Sequence, residues 1–260
     1  MRAFRIPGIG ASLCYHDLAG EEPTLVFLHG LGGAASEAFP EIARHPLLAN
    51  SRAVLIDLLG FGYSEAPADF SYAIEDQADS VAALLGYLAP GNVHVIGHSM
   101  GGSVGISLAA RHPQLLRGLT VAEGNLDPGK GSISTRIAAQ SEDEYIRVGH
   151  AALAVDFQEW LGETPGYGGV VRAFTMAARS LLAERTPSFR EAYEQLAIPR
   201  TYLVGERSLP AFPEGPAPEN GLVAIVRDAG HLMNVDNPDG FARAIAEAVA
   251  YTGAAPDPPA

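Results

Sequence analysis

At 260 residues, with 47% hydrophobic and 18% charged side chains, the chain has the make-up of one large globular domain able to bury a sizeable core. A formal net charge of −13 disfavours nucleic acid and anionic membranes as partners, because phosphate binding needs clustered Lys and Arg. The single cysteine, Cys14, excludes an intrachain disulfide and a cysteine-built metal site, and reads as a small apolar residue rather than a nucleophile. No apolar run reaches transmembrane length and no signal-peptide core follows Met1–Arg5, so a soluble, cytoplasmic protein is expected.

From about residue 24 onward strand-like and helix-like segments alternate. Thr24–Leu28 is a short apolar run ending at His29-Gly30, and Arg52–Asp57 is a second, followed by a loop to Phe70 rich in Gly, Pro and aromatics. Ser71 is placed to cap a helix whose Ile74, Ala78, Val81, Leu85 and Leu88 form an amphipathic stripe. Val93–Ile96 and Leu116–Ala122 are the next strands, the latter ending at Glu123-Gly124-Asn125. The rhythm then breaks. Residues 125–197 hold no convincing strand. A capping-box pattern, Ser141 with Glu144, opens a helix to about Leu161; a second helical pattern follows Tyr167; a third starts at Thr186-Pro187 and carries Phe189, Tyr193 and Leu196. Strands resume at Arg200–Val204 and Leu222–Val226. The last helix begins with Asn237 as cap and Pro238 at its first position.

Continuous apolar strands alternating with helices imply an α/β fold, a mostly parallel central sheet covered by helices on both faces. The core comprises 1–124 and 198–252, residues 125–197 form an inserted helical cap, and the Pro-rich tail 253–260 is expected to be disordered. Tyr145, Phe157, Trp160, Phe174 and Met176 are candidates for lining a pocket beneath the cap, though for any single one of them packing the cap onto the core is the commoner role. Ligands bind such sheets at the carboxyl ends of the strands, where His29, Ser99 and Glu123 all fall.

Residues Val93 to Gly102 carry the most information, reading Val-His-Val-Ile-Gly-His-Ser-Met-Gly-Gly. An apolar strand, a sharp glycine-flanked turn and a helix follow one another, with Ser99 at the apex. Such a turn exposes the hydroxyl and aims the first amides of the helix, which lack intrahelical acceptors, at a developing oxyanion. The blander alternative is a glycine-rich turn in which Ser99 merely caps the helix. A serine hydroxyl needs a base. Of eight histidines, His98 belongs to the turn and is expected to point away from the serine face, His94 lies within a strand, His112 ends a helix, and His16, His45 and His150 lack a strand-end context. His231, in Asp228-Ala229-Gly230-His231 directly after the last strand, is the one that a loop can swing toward Ser99.

The segments Leu28-His29-Gly30-Leu31-Gly32-Gly33, Asp57-Leu58-Leu59-Gly60-Phe61-Gly62-Tyr63-Ser64, Gly97-His98-Ser99-Met100-Gly101-Gly102 and Gly230-His231 together resemble the α/β-hydrolase superfamily, over nearly the whole length. The resemblance implies an α/β-hydrolase fold and attack by Ser99 on a carbonyl carbon. It also implies an oxyanion hole from the backbone amides of Leu31 and Met100, with His29 shaping that loop. The third member of the set departs from the pattern. The usual aspartate position after the penultimate strand, in Val204-Gly205-Glu206-Arg207-Ser208, is occupied by Ser208. Haloalkane dehalogenases among the relatives place their acid one strand earlier, where this chain has Glu123; Glu206 and Asp127 are the alternatives. The activity expected is therefore that of a carboxylesterase-like serine hydrolase acting on small or medium hydrophobic esters through an acyl-enzyme, without metal or organic cofactor. Dehalogenase and epoxide-hydrolase relatives use an aspartate at the position of Ser99. Carbon–carbon bond hydrolysis or cofactor-free perhydrolysis by the same residues is the alternative chemistry, and a non-catalytic ligand receptor on the same fold is a third reading, supported only by Ser208.

Overall fold

The computed structural model describes residues 1–127, 132–149, 152, 171–211 and 221–254. Its strands are β1 (Arg2–Arg5), β2 (Ser12–Leu18), β3 (Glu21–Leu28), β4 (Ser51–Asp57), β5 (Val93–His98), β6 (Gly118–Ala122), β7 (Arg200–Gly205) and β8 (Leu222–Val226). They form one sheet in the order β1-β2-β4-β3-β5-β6-β7-β8, antiparallel at β1-β2-β4 and parallel from β4 onward. The helices used below are α1 (Ala35–Ala38), α2 (Pro40–Ala43), α3 (Ile74–Leu88), α4 (Met100–Arg111), α5 (Ser132–Ala138), α6 (Glu142–Glu144), α7 (Val171–Leu182), α8 (Phe189–Gln195), α9 (Met233–Asp236) and α10 (Pro238–Ala254).

The period-2 alternation of strand side chains sorts the core into two layers. Val26, Leu28, Val54 and Val95 pack with Val81 and Leu85 of α3 and Val104 and Leu108 of α4. Leu25, Phe27, Leu55 and Ile96 point the other way, into the layer that contains Phe241 and Ile245 of α10. Removing one such buried aromatic costs about 3–5 kcal/mol, so these layers hold the strand ends in place. The hydrophobic run of β5 is buried along its entire length, as expected for a central parallel strand.

Several local expectations are corrected. The structure adds β1 and β2 ahead of the first parallel strand; β1 is an edge strand whose side chains are mostly exposed, so its apolar signal is weak. Ser71 does not cap α3. The helix starts at Ile74 after Ala73, and Ser71 Oγ instead accepts from the Ala73 N–H and donates to Asp76. The Ile74 N–H, an orphan donor at the helix start, is taken by Ser180 Oγ of α7 at 3.0 Å. Asn237 does act as expected, its Oδ1 accepting from the Gly240 N–H.

Between β6 and β7 the regular elements among the described residues are all helical. Glu144 N–H donates to Ser141 Oγ, but the helix it opens, α6, is a single turn that widens into a π-helical segment at Tyr145–Gly149. Over five residues a π turn and an α turn carry the same apolar spacing, so periodicity does not separate them. The rest of the helix expected to Leu161 lies outside the described residues, apart from Ala152. The expected third helix begins later than Thr186-Pro187, at Phe189. There Ser188 and Glu191 form a full capping box, which satisfies two orphan amides that Thr186 would leave open, and Leu196 terminates it in extended conformation. The expected tail begins too early, since α10 runs to Ala254; residues 255–260 lie outside the described part.

Candidate active site

Ser99 stands between β5 and α4 with φ 53° and ψ −121°, a conformation that a non-glycine residue adopts only under constraint, at an order of about 1–3 kcal/mol. The constraint is visible in the packing around it. A methyl group on Gly97 would lie 2.3 Å from the Gly101 carbonyl oxygen, and one on Gly101 would lie 2.3 Å from the carbonyl oxygen of Leu28. Ser99 N–H donates to Ala122 O of the neighbouring strand end, and Ser99 O accepts from Gly102 N–H. Its side chain makes no capping bond to α4, so the hydroxyl is not spent on the helix, and the residue is partly accessible. Met100 is the first residue of α4, where an amide has no intrahelical acceptor.

The loop after β3 comes up against this turn from the other side. A methyl on Gly30 would lie 3.2 Å from Ser99 Cβ, which brings the Gly30-Leu31 peptide beside the serine. His29 is fully buried and shapes the loop: Leu58 N–H donates to its Nε2 at 3.0 Å, so Nδ1 carries the proton and donates to Gly30 O at 2.7 Å. Burial pushes the His29 pKa down, against the opposing pull of Asp57, keeping the ring neutral. Asp57, also buried, accepts from Ser36 N–H and from Tyr63 N–H and receives the Ser36 hydroxyl, tying α1 to the loop after β4.

His231 follows β8 in a loop held at both ends. Gly230 N–H donates to Asp236 Oδ2 of α9 at 2.7 Å, and Arg207 N–H donates to Ala229 O. Arg207 also pairs with Asp236 at 2.7 Å. His231 Nδ1 lies 2.7 Å from Glu123 Oε2; since a carboxylate can only accept, Nδ1 carries the proton, and Nε2 is the accepting nitrogen of the neutral ring. Glu123 sits at the end of β6 with φ 45°, its second oxygen accepting from Gly205 N–H at 2.8 Å. Burial alone would raise the Glu123 carboxyl. The hydrogen bond and charge of His231, with the bonds from Gly205 N–H and the Ser208 hydroxyl, outweigh it and hold the group below its ordinary value of 4.5.

The other carboxylates considered for this position are engaged elsewhere. Asp127 forms a bidentate ion pair with Arg190 of α8, and Glu206 accepts from Asp228 N–H in an exposed loop. Of the aromatic candidates, Tyr145 and Phe174 are completely buried, and Phe174 stacks edge-on against Phe61, which in turn meets the His29 ring at 5.7 Å. Both therefore pack the insertion onto the core, and Met176 is partly buried against the same cluster. Phe157 and Trp160 lie outside the described residues.

His98 is a further correction. It does not turn away from the site: it is buried, its Nε2–H donates to the main-chain carbonyl of His231 at 2.7 Å, and the two rings are 4.8 Å apart. In the sequence Ser208 reads as a missing acid; in the structure its hydroxyl hydrogen-bonds Glu123 and helps to keep that carboxyl ionised. Neither contact has a signal in the local sequence, because both join strand ends distant in the chain. Among the described residues no group of three or more His, Cys, Asp or Glu side chains could hold a metal ion.

Residues 23–196 match the model of the alpha/beta hydrolase fold family, so the chain belongs to that family. It is 37% identical over 114 residues to a putative carbamate hydrolase, RutD, of Pantoea ananatis, covering 42% of this chain and 41% of that one. It is 35% identical over 107 residues to 2-hydroxymuconate semialdehyde hydrolase of a Pseudomonas species, covering 41% and 38%. The chain thus spans about two fifths of the length of these relatives. Among solved structures it shares its fold with a thermophilic esterase of Thermogutta terrifontis, at a TM-score of 0.72 and 21% identity, over 97% of this chain and 99% of that one.

Proposed function

We propose that the chain is a carboxylesterase-like serine hydrolase that cleaves small or medium hydrophobic esters through an acyl-enzyme. The observation that carries this reading is the 2.7 Å contact between His231 Nδ1 and Glu123, in a loop bonded through the His231 carbonyl to His98, the residue before a strained serine whose hydroxyl is left out of helix capping. With Nδ1–H committed to Glu123, only Nε2 of His231 can take a proton. Ser99 Oγ then attacks the ester carbonyl as His231 accepts its proton, and the amides of Leu31 and Met100 receive the oxyanion. His231 returns the proton to the leaving alcohol, and water deacylates Ser99 by the same route. Glu123 stabilises the imidazolium formed in each half-reaction. The described helices between β6 and β7 serve as a cap over the substrate, a small-molecule hydrophobic ester, and the reaction calls for no metal or organic cofactor.

The test is covalent. A fluorophosphonate should add one adduct, mapped by mass spectrometry to Ser99, and should abolish hydrolysis of p-nitrophenyl butyrate. Ser99→Ala should take no label and lose about four orders of magnitude or more in turnover, with an unchanged melting temperature. Near-normal esterase activity in that variant would end the reading. A second chemistry, hydrolysis of a carbon–carbon bond in a vinylogous diketone, is favoured by the name of the Pseudomonas relative. Turnover of such a diketone above that of any p-nitrophenyl ester would select it.

A further inference from the structure

One buried imidazole touches all three segments that make up this site. His98 precedes Ser99 in the turn, and its Nε2–H bonds the carbonyl of His231. The opposite edge of its ring faces the loop after β3, where a methyl on Gly30 would lie 3.2 Å from Nδ1. The loop carrying His231 is otherwise tied by its neighbours, through Gly230 N–H to Asp236 and through Ala229 O to Arg207 N–H. At His231 itself the main chain is anchored by a side chain from the serine turn, across 133 residues of sequence.

We infer that His98 is a positioning residue that fixes the separation of Ser99 and His231 by gripping the His231 carbonyl while its other edge seats the Gly30-Leu31 peptide. The inference rests on the serine-hydrolase reading above and concerns geometry within it. The position needs a donor at the depth of Nε2 and a flat, aprotic edge against Gly30, which an imidazole in the Nε2–H tautomer supplies. Burial, reinforced by the neighbouring His231, pushes the His98 pKa down to about 3, so the ring keeps that tautomer and adds no second positive charge beside an imidazolium at His231. A displacement of about 1 Å in a reacting group can cost on the order of a hundred-fold in rate, which sets the scale of the effect.

Three variants separate positioning from packing. His98→Phe fills the space without a donor, His98→Gln reaches the depth of Nε2 with an amide N–H, and His98→Asn stops short at the depth of Nδ1. On p-nitrophenyl butyrate, His98→Phe should lower kcat about 30- to 100-fold with KM within roughly two-fold, and His98→Gln should recover most of that loss. Unchanged kcat in a folded His98→Phe, or a His98→Gln as impaired as His98→Phe, overturns the inference. If His98→Phe does not give a cooperative melt, the comparison of Gln with Asn decides: Gln well above Asn supports it, equal activities overturn it. Rates of fluorophosphonate labelling on the same samples keep the two levels apart. Absence of label on Ser99 in the wild type fells the serine-hydrolase reading and with it the inference. Normal labelling in the wild type and an unchanged rate in His98→Phe fells the inference alone.

Discussion

The acid of the site, Glu123, stands one strand earlier than the usual position, and it was legible both from the relatives that share this placement and for a physical reason: a carboxylate at a strand end beside glycine is costly to bury unless something pairs it. What sequence could not show is how the pairing is completed, because Gly205 N–H and the Ser208 hydroxyl come from the neighbouring strand end. Glu123→Gln keeps the shape and removes the charge facing an imidazolium, so turnover should fall on the order of a hundred-fold to ten-thousand-fold. Glu206→Gln, whose partner is the Asp228 amide in an exposed loop, should cost less than about three-fold. Steady-state kinetics of the two variants on one ester checks the ranking, and its reversal moves the acid to the loop after β7. The stability that Glu123 gains from its partners is present above 4.5 and is lost only as pH falls through its lowered value.

At the scale of elements, the parallel strands follow from continuous apolar runs and the long helices α3 and α10 from period-3.6 apolar patterns, and the structure buries these except in β8, whose Leu222, Val223 and Ile225 are exposed. The loops that join strand ends to short helices do not follow from such patterns, since their order comes from polar groups reaching across the fold. Asp57 illustrates the difference. In sequence it closes an apolar run; in the structure it gathers Ser36 N–H, the Ser36 hydroxyl and Tyr63 N–H, with Gly62 packed so close that a methyl there would meet Oδ2 at 2.4 Å. Asp57→Asn turns one acceptor oxygen into a donor amide among these donors and should cost about 2–4 kcal/mol. In a chain of this size that lowers the melting temperature by about 5–15 °C, measurable by differential scanning calorimetry. A melting temperature within a degree of wild type would show that α1 does not depend on Asp57.

For the molecule as a whole, buried neutral histidines set an acid limit on folding. His94, between the hydroxyls of Thr120 and Thr252, and His98 both have pKa values pushed down to about 3 by burial, against 6.5 in the unfolded chain. Below 6.5 the unfolded chain binds protons that the folded one refuses, so this stability is complete above 6.5 and lost as pH falls toward 3. Each histidine should cost about 2 kcal/mol between pH 6.5 and 5. The urea midpoint should therefore drop over that interval, by less in His94→Gln, and a midpoint flat from pH 7.5 to 5 would contradict it. The two adjoining strand ends that serve His231 also constrain how such a site can be rewired. Glu123 and the Ser208 hydroxyl already meet, so an aspartate at 208 would bring two like charges to one imidazole, and one of them would have to hold a proton. Moving the acid from β6 to β7 therefore has a preferred order of substitution: neutralise 123 first, through a weakened intermediate, then charge 208.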